Sequence, residues 1–356
     1  MIINLRLVFT SCFLIFVSFI LYNIYIIDPH IHGKLKFNHY LAKVFFYCVG
    51  IGGNFNRYLF NQFMNNNLYF SKPKATDNKF IDGVLIEDVD ILSLWSEELH
   101  KNVTIKAQIF YPESYNTDKL PVLLHIHGGG FVLDALIDRS FEFCKLGLIV
   151  VSLDYRLAPE YKFPTAVEDA YSALSFIYSK SHKLLEKVDL DKVVILGDSA
   201  GGNLSAVLAL LSRDRNSGFE PRIAHQILIY PTMNIRHMTD SNEKFKDGYI
   251  LSKHLMDWFH DQYLDKDENY NNPLANPLKA ESLRNLPPAL IILATDDILY
   301  DDGIEYGNAL KREDVKVEFK EYVSVHGFFN ILGLNAEEIE AFNHISDYLR
   351  RNAIIQ

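Results

Sequence analysis

The sequence predicts an α/β fold with a mostly parallel central sheet and helices on both of its faces. From residue 80 onward, short apolar segments alternate with amphipathic segments of helical period. Several of the short segments are apolar on both faces, which is typical of strands in a parallel sheet that helices cover on each side. The 356 residues are 49% hydrophobic and 22% charged, so the chain can bury a large core and is not of the disordered class.

The alternation sets the expected order of the elements. Strands are expected at 104–111, 122–126, 148–153, 193–196, 226–230, 289–294 and 315–322. Helices are expected at 164–179, 200–213, 302–312 and 336–351.

Two segments do not fit this alternation. One is the aromatic and Asn-rich stretch 37–70, and the other is 244–264, which contains a helix-like stretch at 251–263. Insertions of this kind commonly cover a ligand site as a cap, and aromatic caps suit apolar ligands. We therefore expect a cap or linker segment at 31–80, and a main domain at 81–356 with a helical cap insertion at about 240–285.

The first 30 residues differ from the rest of the chain. Residues 7–27 are 21 consecutive positions without a charge, close to the roughly 20 residues that a helix needs to cross a bilayer. Tyr22 and Tyr25 stand where interfacial aromatic residues are found. A transmembrane anchor at 1–30 is the preferred interpretation. A cleaved signal peptide, with an apolar region of about 7–15 residues, and a buried soluble helix are the alternatives.

The distribution of charged residues indicates how the expected anchor is oriented in the membrane and which partners are excluded. Arg6 precedes the uncharged segment, whereas Lys34, Lys36 and Lys43 follow it, which by the positive-inside rule alone favours a cytosolic main domain. The formal net charge is −10, with Lys and Arg scattered along the chain. No basic stripe for phosphate backbones is present, so nucleic acid is not an expected partner.

Sequons and cysteines leave the compartment open. Asn102 begins an Asn-Val-Thr glycosylation sequon, which matters only if the main domain is luminal. Asn203 begins a second sequon, but inside a predicted helix where an oligosaccharide has no room. Because Cys12 lies in the expected anchor, Cys48 and Cys144 can form at most one disulfide, a number compatible with either redox compartment.

Ser199 is a candidate nucleophile. It stands at the centre of Gly-Asp-Ser-Ala-Gly at 197–201, which matches G-x-S-x-G between a predicted strand and a predicted helix. In that context the sharp turn lifts the hydroxyl above the carboxyl edge of the sheet, with the positive end of the helix beneath it. The same residues also suit a serine that only caps the helix, so the motif needs support from elsewhere in the chain.

A triple glycine supplies that support. Residues 123–132, Leu-Leu-His-Ile-His-Gly-Gly-Gly-Phe-Val, end an apolar strand where backbone amides can approach a ligand unhindered, as an oxyanion site requires. The candidate oxyanion donors are the amides of Gly128, Gly129, Gly130 and Ala200. His125 and His127 have a metal-like H-x-H spacing, but no nearby Cys, Asp or Glu cluster completes a ligand set. We expect no metal, and we expect His127 to orient the glycine loop.

A serine nucleophile also needs a base and a carboxylate that orients the base. Acids follow the predicted strand at 289–294, and His326 follows the next strand directly, beside a glycine. The chain order Ser, Asp, His is that of the α/β-hydrolase fold. Asp296 and Asp297 are adjacent, and because side chains alternate along a strand only one can face His326. Periodicity does not choose between them.

Together these motifs resemble the hormone-sensitive-lipase-like branch of the α/β-hydrolases over about residues 75–350. The resemblance rests on His127-Gly-Gly-Gly130, Asp154-Tyr-Arg-Leu-Ala-Pro-Glu160, Gly197-Asp-Ser-Ala-Gly-Gly202, Asp297-x-Leu-x-Asp-Asp-Gly303 and His326-Gly-Phe. Within this branch, the amino-terminal anchor and the layout look most like the arylacetamide deacetylase and neutral cholesterol ester hydrolase group. The resemblance implies the α/β-hydrolase fold and an enzyme that needs no cofactor.

The resemblance also implies roles for residues. It implies a hydrolase of apolar carboxylic esters or amides, with Ser199 as nucleophile, His326 as base and Asp297 as its partner. Asp296 is then a turn carboxylate. The residues that match the framework motif are Tyr155, Arg156 and Pro159. A non-catalytic small-molecule receptor on the same fold is the alternative function, although the plant hormone receptor of this type lacks the histidine.

For location, the resemblance implies a single-pass type II anchor in the endoplasmic reticulum membrane with a luminal catalytic domain, opposite to the indication from charge. Some luminal members have a disulfide that reaches the carboxyl-terminal region. No Cys follows Cys144, so this feature does not carry over. The physiological substrate, its acyl length and the oligomeric state stay open.

Overall fold

A nine-stranded sheet runs through the described part of the chain. A computed structural model describes residues 79–93, 103–113, 119–134, 139–215, 222–236, 238–248, 250–265, 267–330 and 336–356. The strands are β1 (Lys79–Ile81), β2 (Val84–Leu92), β3 (Thr104–Pro112), β4 (Leu120–Ile126), β5 (Ile149–Asp154), β6 (Val188–Asp198), β7 (Ile223–Ile229), β8 (Ala289–Asp296) and β9 (Val317–Val325). The α-helices of the described residues are α1 (Ser140–Cys144), α2 (Thr165–Ser179), α3 (Ala200–Asp214), α4 (Asp240–Lys244), α5 (Lys253–Tyr263), α6 (Tyr300–Arg312) and α7 (Ala336–Arg351).

The sheet is mostly parallel, as the sequence predicts. Its strand order is β1-β2-β3-β5-β4-β6-β7-β8-β9. The strands from β5 to β9 pair in parallel, whereas β1, β2 and β3 form an antiparallel edge against β5. The chain runs from β4 to β5 in one direction across the sheet and from β5 to β6 in the other. Right-handed crossovers therefore place α1 on the opposite face from α2, α3 and α6.

The central strands form the core because their side chains are apolar on both faces. All seven residues of β4 are buried, and β6 is buried from Val193 onward. On one face, buried side chains of α1 and α7 pack together against the sheet, among them Phe143, Ile345 and Leu349. On the other face, α3 packs against β6 and β7.

The two strands β1 and β2 were not predicted from the sequence. In β2, buried Val84 and Ile86 alternate with more exposed neighbours, but the alternation shifts by one residue at 87–88 before Val89 and Ile91 resume it. A broken period weakens the signal of a half-buried strand. β1 begins at Lys79, two residues inside the segment 31–80 that was predicted as a cap or linker.

The predicted insertion at about 240–285 lies between β7 and β8 and is mainly helical. It contains α4, α5 and two 3₁₀ turns, Asp267–Asn271 and Pro277–Lys279. Thr239 caps α4 by accepting a hydrogen bond from the Asn242 amide at 3.2 Å, and Ser252 caps α5 by accepting one from the Leu255 amide at 3.3 Å. Polar caps of this kind explain where both helices begin.

Several predictions fall on residues that the structure does not describe. The anchor at 1–30, the segment 31–78, the sequon at Asn102 and the thiol of Cys48 lie outside the described residues. Within the described ranges, no helix is long and apolar enough to span a bilayer. Cys144 is a buried free cysteine. Asn203 is fully buried and its side-chain amide donates to the Thr232 and Ala275 carbonyls, so its sequon has no room for a glycan.

Candidate active site

Ser199 occupies a strained turn between β6, which ends at Asp198, and α3, which begins at Ala200. Its φ of 53° lies in the left-handed region, where a non-glycine residue is strained. The surrounding glycines allow the turn, because a Cβ on Gly201 would lie 2.0 Å from the Ile126 carbonyl oxygen. The Ser199 side chain makes no capping hydrogen bond to α3. The interpretation of Ser199 as a simple helix cap is therefore wrong.

The Ser199 hydroxyl instead lies beside His326. His326 follows the last residue of β9 and is mostly buried. Its Nε2 is 3.0 Å from Ser199 Oγ, although 127 residues separate the two along the chain. The ring of Tyr230, the residue after β7, lies 4.8 Å from the His326 ring between centroids. The second ring nitrogen of His326, Nδ1, lies beside Asp297, so both ring nitrogens have partners.

Asp297 is the carboxylate that faces His326. Its Oδ2 lies 2.7 Å from His326 Nδ1, and its Oδ1 accepts a hydrogen bond of 2.9 Å from the Leu299 amide. Its side chain is buried. Asp296, by contrast, is the last residue of β8 and pairs with Val325 in the β8–β9 ladder. Of the two adjacent acids, the structure places Asp297 in line with His326 and Ser199.

The glycine loop after β4 differs in one respect from the expectation. The amide of Gly128, which was expected among the oxyanion donors, donates to Asp198 Oδ1 at 3.0 Å. This amide is paired within the protein and is not available to an oxyanion. Gly129 and Gly130 have positive φ values of 104° and 61°, a conformation that glycine adopts without strain. The candidate donors are thus the amides of Gly129, Gly130 and Ala200.

Residues of the framework motif support this loop. The Tyr155 hydroxyl donates to the His127 carbonyl at 3.1 Å, and the Tyr155 and His127 rings stack with centroids 4.3 Å apart. His127 Nδ1 lies 2.7 Å from the Gly128 carbonyl oxygen, in keeping with a role in orienting the loop. Arg156 forms a bidentate ion pair with the buried carboxylate of Asp169 on α2.

Aromatic residues of the cap insertion cover the glycine loop. The ring of Phe259 on α5 packs so closely on Gly130 that a Cβ there would lie 2.3 Å from it. Tyr263, at the end of α5, stacks on Phe131 with centroids 3.8 Å apart and an angle of 4° between the planes. Phe131, Phe259 and Tyr263 are all buried. The contact between the cap insertion and the glycine loop is therefore aromatic.

The structure also assembles a group of potential metal ligands that was not predicted. His127, Asp134 and Asp154 each offer one ligand atom, and these atoms lie within 4.8 Å of one another. Sequence reasoning found no cluster of acids that completes a ligand set with His127, because Asp154 ends the neighbouring strand β5 and approaches only in the fold. His125 does not join this group, since its Nδ1 lies 3.0 Å from Ser140 Oγ on α1.

Similar proteins share the sequence and the fold of this chain. A model of the alpha/beta hydrolase fold family matches residues 123–330. The carboxylic ester hydrolase LipN of Mycobacterium tuberculosis is 41% identical over 240 residues, which cover 65% of this chain and 63% of LipN. The esterase LipI of the same bacterium is 36% identical over 247 residues, which cover 67% of this chain and 75% of LipI. This chain thus spans slightly less than two thirds of the length of LipN.

Solved structures agree with these relatives. A hyperthermophilic esterase from the archaeon Pyrobaculum calidifontis is 38% identical with a TM-score of 0.67, covering 76% of this chain and 86% of that one. EstE1, a thermophilic carboxylesterase cloned from a metagenomic library, is 33% identical with a TM-score of 0.69, covering 84% of this chain and 96% of that one. Because the family match also spans more than half of the sequence, the chain belongs to the α/β-hydrolase fold family, in its hormone-sensitive-lipase-like branch.

Proposed function

We propose that the protein hydrolyses carboxylic esters of apolar substrates with Ser199, His326 and Asp297 as its catalytic triad. The chain is a carboxylic ester hydrolase, a class supported by the esterase names of LipN, LipI and EstE1. The observation that carries the triad is the continuous chain of contacts, 3.0 Å from Ser199 Oγ to His326 Nε2 and 2.7 Å from His326 Nδ1 to Asp297 Oδ2. A nucleophile within reach of a base, and a base held by a carboxylate, is the arrangement that activates a serine.

The reaction proceeds in two steps through an acyl-enzyme. His326 Nε2 takes the proton of Ser199 Oγ as the oxygen attacks the ester carbonyl, and Asp297 stabilises the imidazolium that forms. The amides of Gly129, Gly130 and Ala200 donate to the oxyanion. His326 then protonates the departing alcohol. Water, deprotonated by the same imidazole, attacks the acyl carbonyl and releases the carboxylic acid with Ser199 restored.

The substrate class is proposed from the aromatic packing around the glycine loop. Phe259 packs on Gly130 and Tyr263 stacks on Phe131, and aromatic surroundings of this kind suit apolar acyl or alcohol groups. Arylamides form a second substrate class within this proposal, supported by the resemblance to arylacetamide deacetylase. Rates of hydrolysis for a series of esters of increasing acyl length measure the preference for apolar groups. The rate for an arylamide with the same acyl group measures amide hydrolysis.

Catalysis is favoured over a receptor role because the base is in place. A receptor that only binds a small molecule has no need of an imidazole 3.0 Å from the serine hydroxyl. Fold alone does not separate the two functions, whereas turnover of an aryl acetate by the purified protein does.

We further propose that residues 7–27 anchor the protein in the endoplasmic reticulum membrane as a single-pass type II protein with a luminal catalytic domain. The uncharged run of 21 residues supports the anchor. The sequon at Asn102 supports the luminal side.

The triad is tested with Ser199→Ala. We expect this variant to lose hydrolysis of p-nitrophenyl esters and labelling by a fluorophosphonate probe, because both require the Ser199 oxygen. Ser175→Ala is the matched control, since the Ser175 hydroxyl bonds the Tyr171 carbonyl within α2. Circular dichroism checks that both variants are folded. Wild-type turnover in folded Ser199→Ala would remove Ser199 from the mechanism.

A further inference from the structure

The peptide group between His127 and Gly128 is bound at both of its polar ends. Its N–H, from Gly128, donates to Asp198 Oδ1 at 3.0 Å. Its carbonyl, from His127, accepts a hydrogen bond of 3.1 Å from the Tyr155 hydroxyl. Both side chains that hold this peptide are buried, so water does not compete for either bond. The plane of the peptide is therefore fixed by two side chains, one from the last residue of β6 and one from the residue that follows β5.

This peptide lies directly beyond the end of the strand pairing between β4 and β6. The last pair of the β4–β6 ladder is Ile126 with Gly197. Beyond it, Gly129 and Gly130 both have positive φ values, and glycines restrict the backbone less than any other residue. The direction of the next amides depends on the plane of the peptide that precedes them. Beyond the ladder, hydrogen bonds outside the sheet orient the loop towards Ser199, and those of the His127–Gly128 peptide are the first of them along the chain.

We propose that Asp198, together with Tyr155, is a positioning residue that orients the oxyanion amides by fixing the His127–Gly128 peptide. Asp198 directly precedes Ser199, so its bond to Gly128 ties the turn that carries the nucleophile to the loop that carries the oxyanion donors. This bond thereby contributes directly to the spacing between the amide of Ala200 and the amides of Gly129 and Gly130. The inference rests on the proposed ester hydrolysis and deepens it, because it assigns a role to the second residue of G-D-S-A-G.

The packing around the bond leaves little freedom. A Cβ on Gly128 would lie 2.4 Å from Asp198 Oδ2, so the carboxyl occupies the space of a side chain at that position. Burial raises the pKa of Asp198, while the nearby rings of His125, His127 and His326 oppose this rise. An oxygen of a carboxyl accepts a hydrogen bond in either protonation state. The contact with Gly128 therefore does not depend on the charge of Asp198.

The test compares two substitutions at one position. Asp198→Leu has similar size but no acceptor, whereas Asp198→Asn keeps an acceptor oxygen. We expect Asp198→Leu to lower kcat by about 10–100-fold, less than the roughly 10²–10³-fold cost of deleting an oxyanion donor itself. KM is expected to change by less than about 3-fold, since the bond orients groups that act in the transition state. Asp198→Asn is expected to recover most of the lost kcat.

A boronic acid inhibitor supplies the readout that is specific to orientation. Its tetrahedral adduct with a serine places an oxygen where the oxyanion forms, so its Ki reports on the oxyanion amides. We expect Ki to rise in Asp198→Leu by about the same factor as kcat falls. Glu338→Gln is the control, because Glu338 on α7 is a buried carboxylate paired with Arg139, the residue that precedes α1. It should lower thermal stability but leave kcat and Ki unchanged.

Tyr155→Phe tests the same peptide from its other end and removes only a hydroxyl. We expect a parallel loss in kcat and in boronate affinity. In the double variant with Asp198→Leu, the loss should be smaller than the product of the two single losses, because both residues fix one peptide plane. If Asp198→Leu does not fold, Tyr155→Phe alone decides.

The inference is overturned if Asp198→Leu, or Tyr155→Phe in its place, keeps wild-type kcat and Ki, or loses kcat without any change in Ki. A double variant whose loss equals the product of the two single losses would also contradict it, since the two residues would then act independently. Wild-type turnover in Ser199→Ala is a different outcome. It would overturn the proposed function itself.

Discussion

The substitution Asp297→Asn tests the proposed triad most sharply, because Asp297 accepts hydrogen bonds from two directions. Its Oδ1 accepts from the Leu299 amide at 2.9 Å, and its Oδ2 lies 2.7 Å from His326 Nδ1. An asparagine at 297 must keep its oxygen on the Leu299 N–H, so its NH₂ group faces His326. Since that group only donates, His326 must present a lone pair at Nδ1 and carry its proton on Nε2. It can then no longer accept the proton of Ser199.

The expected loss follows from this change of tautomer. In a serine protease the corresponding substitution lowers kcat by about 10⁴-fold with the geometry intact. We expect Asp297→Asn to lower kcat by about 10²–10⁴-fold, which corresponds to about 3–5 kcal/mol of lost transition-state stabilisation. The substitution keeps the volume of the side chain, so KM and folding should change little.

Asp296→Asn is the matched control, since it makes the same chemical change one residue earlier. Asp296 belongs to the β8–β9 ladder and its carboxylate is not the one at His326, so we expect less than about a tenfold loss in kcat. Steady-state kinetics with one aryl ester, on variants of verified fold, measure both. The reverse ranking, or equal small losses, would remove Asp297 from the triad.

Three further outcomes are expected. Adding His326→Ala to Ser199→Ala should reduce the residual rate by less than about tenfold, because the members of a triad act as a unit; a large further loss would contradict this. The expressed protein should resist carbonate extraction and shift on glycosidase treatment, with the shift lost in Asn102→Gln; extraction into the soluble fraction would refute the anchor. Burial lowers the pKa of His260 on α5 to about 4, whereas an unfolded histidine titrates near 6.5. Between about pH 6.5 and about pH 4 the unfolded chain therefore binds a proton at His260 that the folded chain does not bind. The contribution of His260 to the free energy of unfolding is highest above about pH 6.5 and falls by on the order of 3 kcal/mol as pH falls to about 4. In urea unfolding, His260→Leu should weaken the dependence of the free energy of unfolding on pH between about pH 4 and about pH 6.5. A pH dependence equal to that of the wild type would contradict this prediction.

Local patterns in the sequence were sufficient for most of the fold. Helix α7 was predicted with its observed bounds, and strands β4 and β8 were predicted to within two residues at each end. These elements have an unbroken period or an unbroken apolar run, so neighbouring residues determine them. The prediction missed β2, where polar residues and a shift of phase weaken the same signal. β2 is stabilised mainly by its long pairing with β3, which the local sequence does not show.

The candidate site also has a part that local motifs predict and a part that depends on contacts between distant residues. Ser199, the glycine loop and His326 are recognisable because each stands at a strand end inside a short motif. The contacts that complete the site join distant parts of the chain, such as the bond of Gly128 to Asp198, 70 residues later. The approach of Asp154 to His127 is also of this kind. Such pairs follow from strand order, since β4 lies between β5 and β6 in the sheet but not along the chain.

The choice between Asp296 and Asp297 shows why periodicity fails at the end of a strand. In the β8–β9 ladder, Ala294 pairs with Tyr322 but Asp296 pairs with Val325, so β9 carries one extra residue at this point. A bulge of one residue changes which side chains share a face. β8 then ends at Asp296, and Asp297 follows outside the strand with its side chain held by the Leu299 amide. The alternation of a regular strand therefore no longer applies to Asp297, and its orientation is set by a turn whose hydrogen bond forms only in the folded chain.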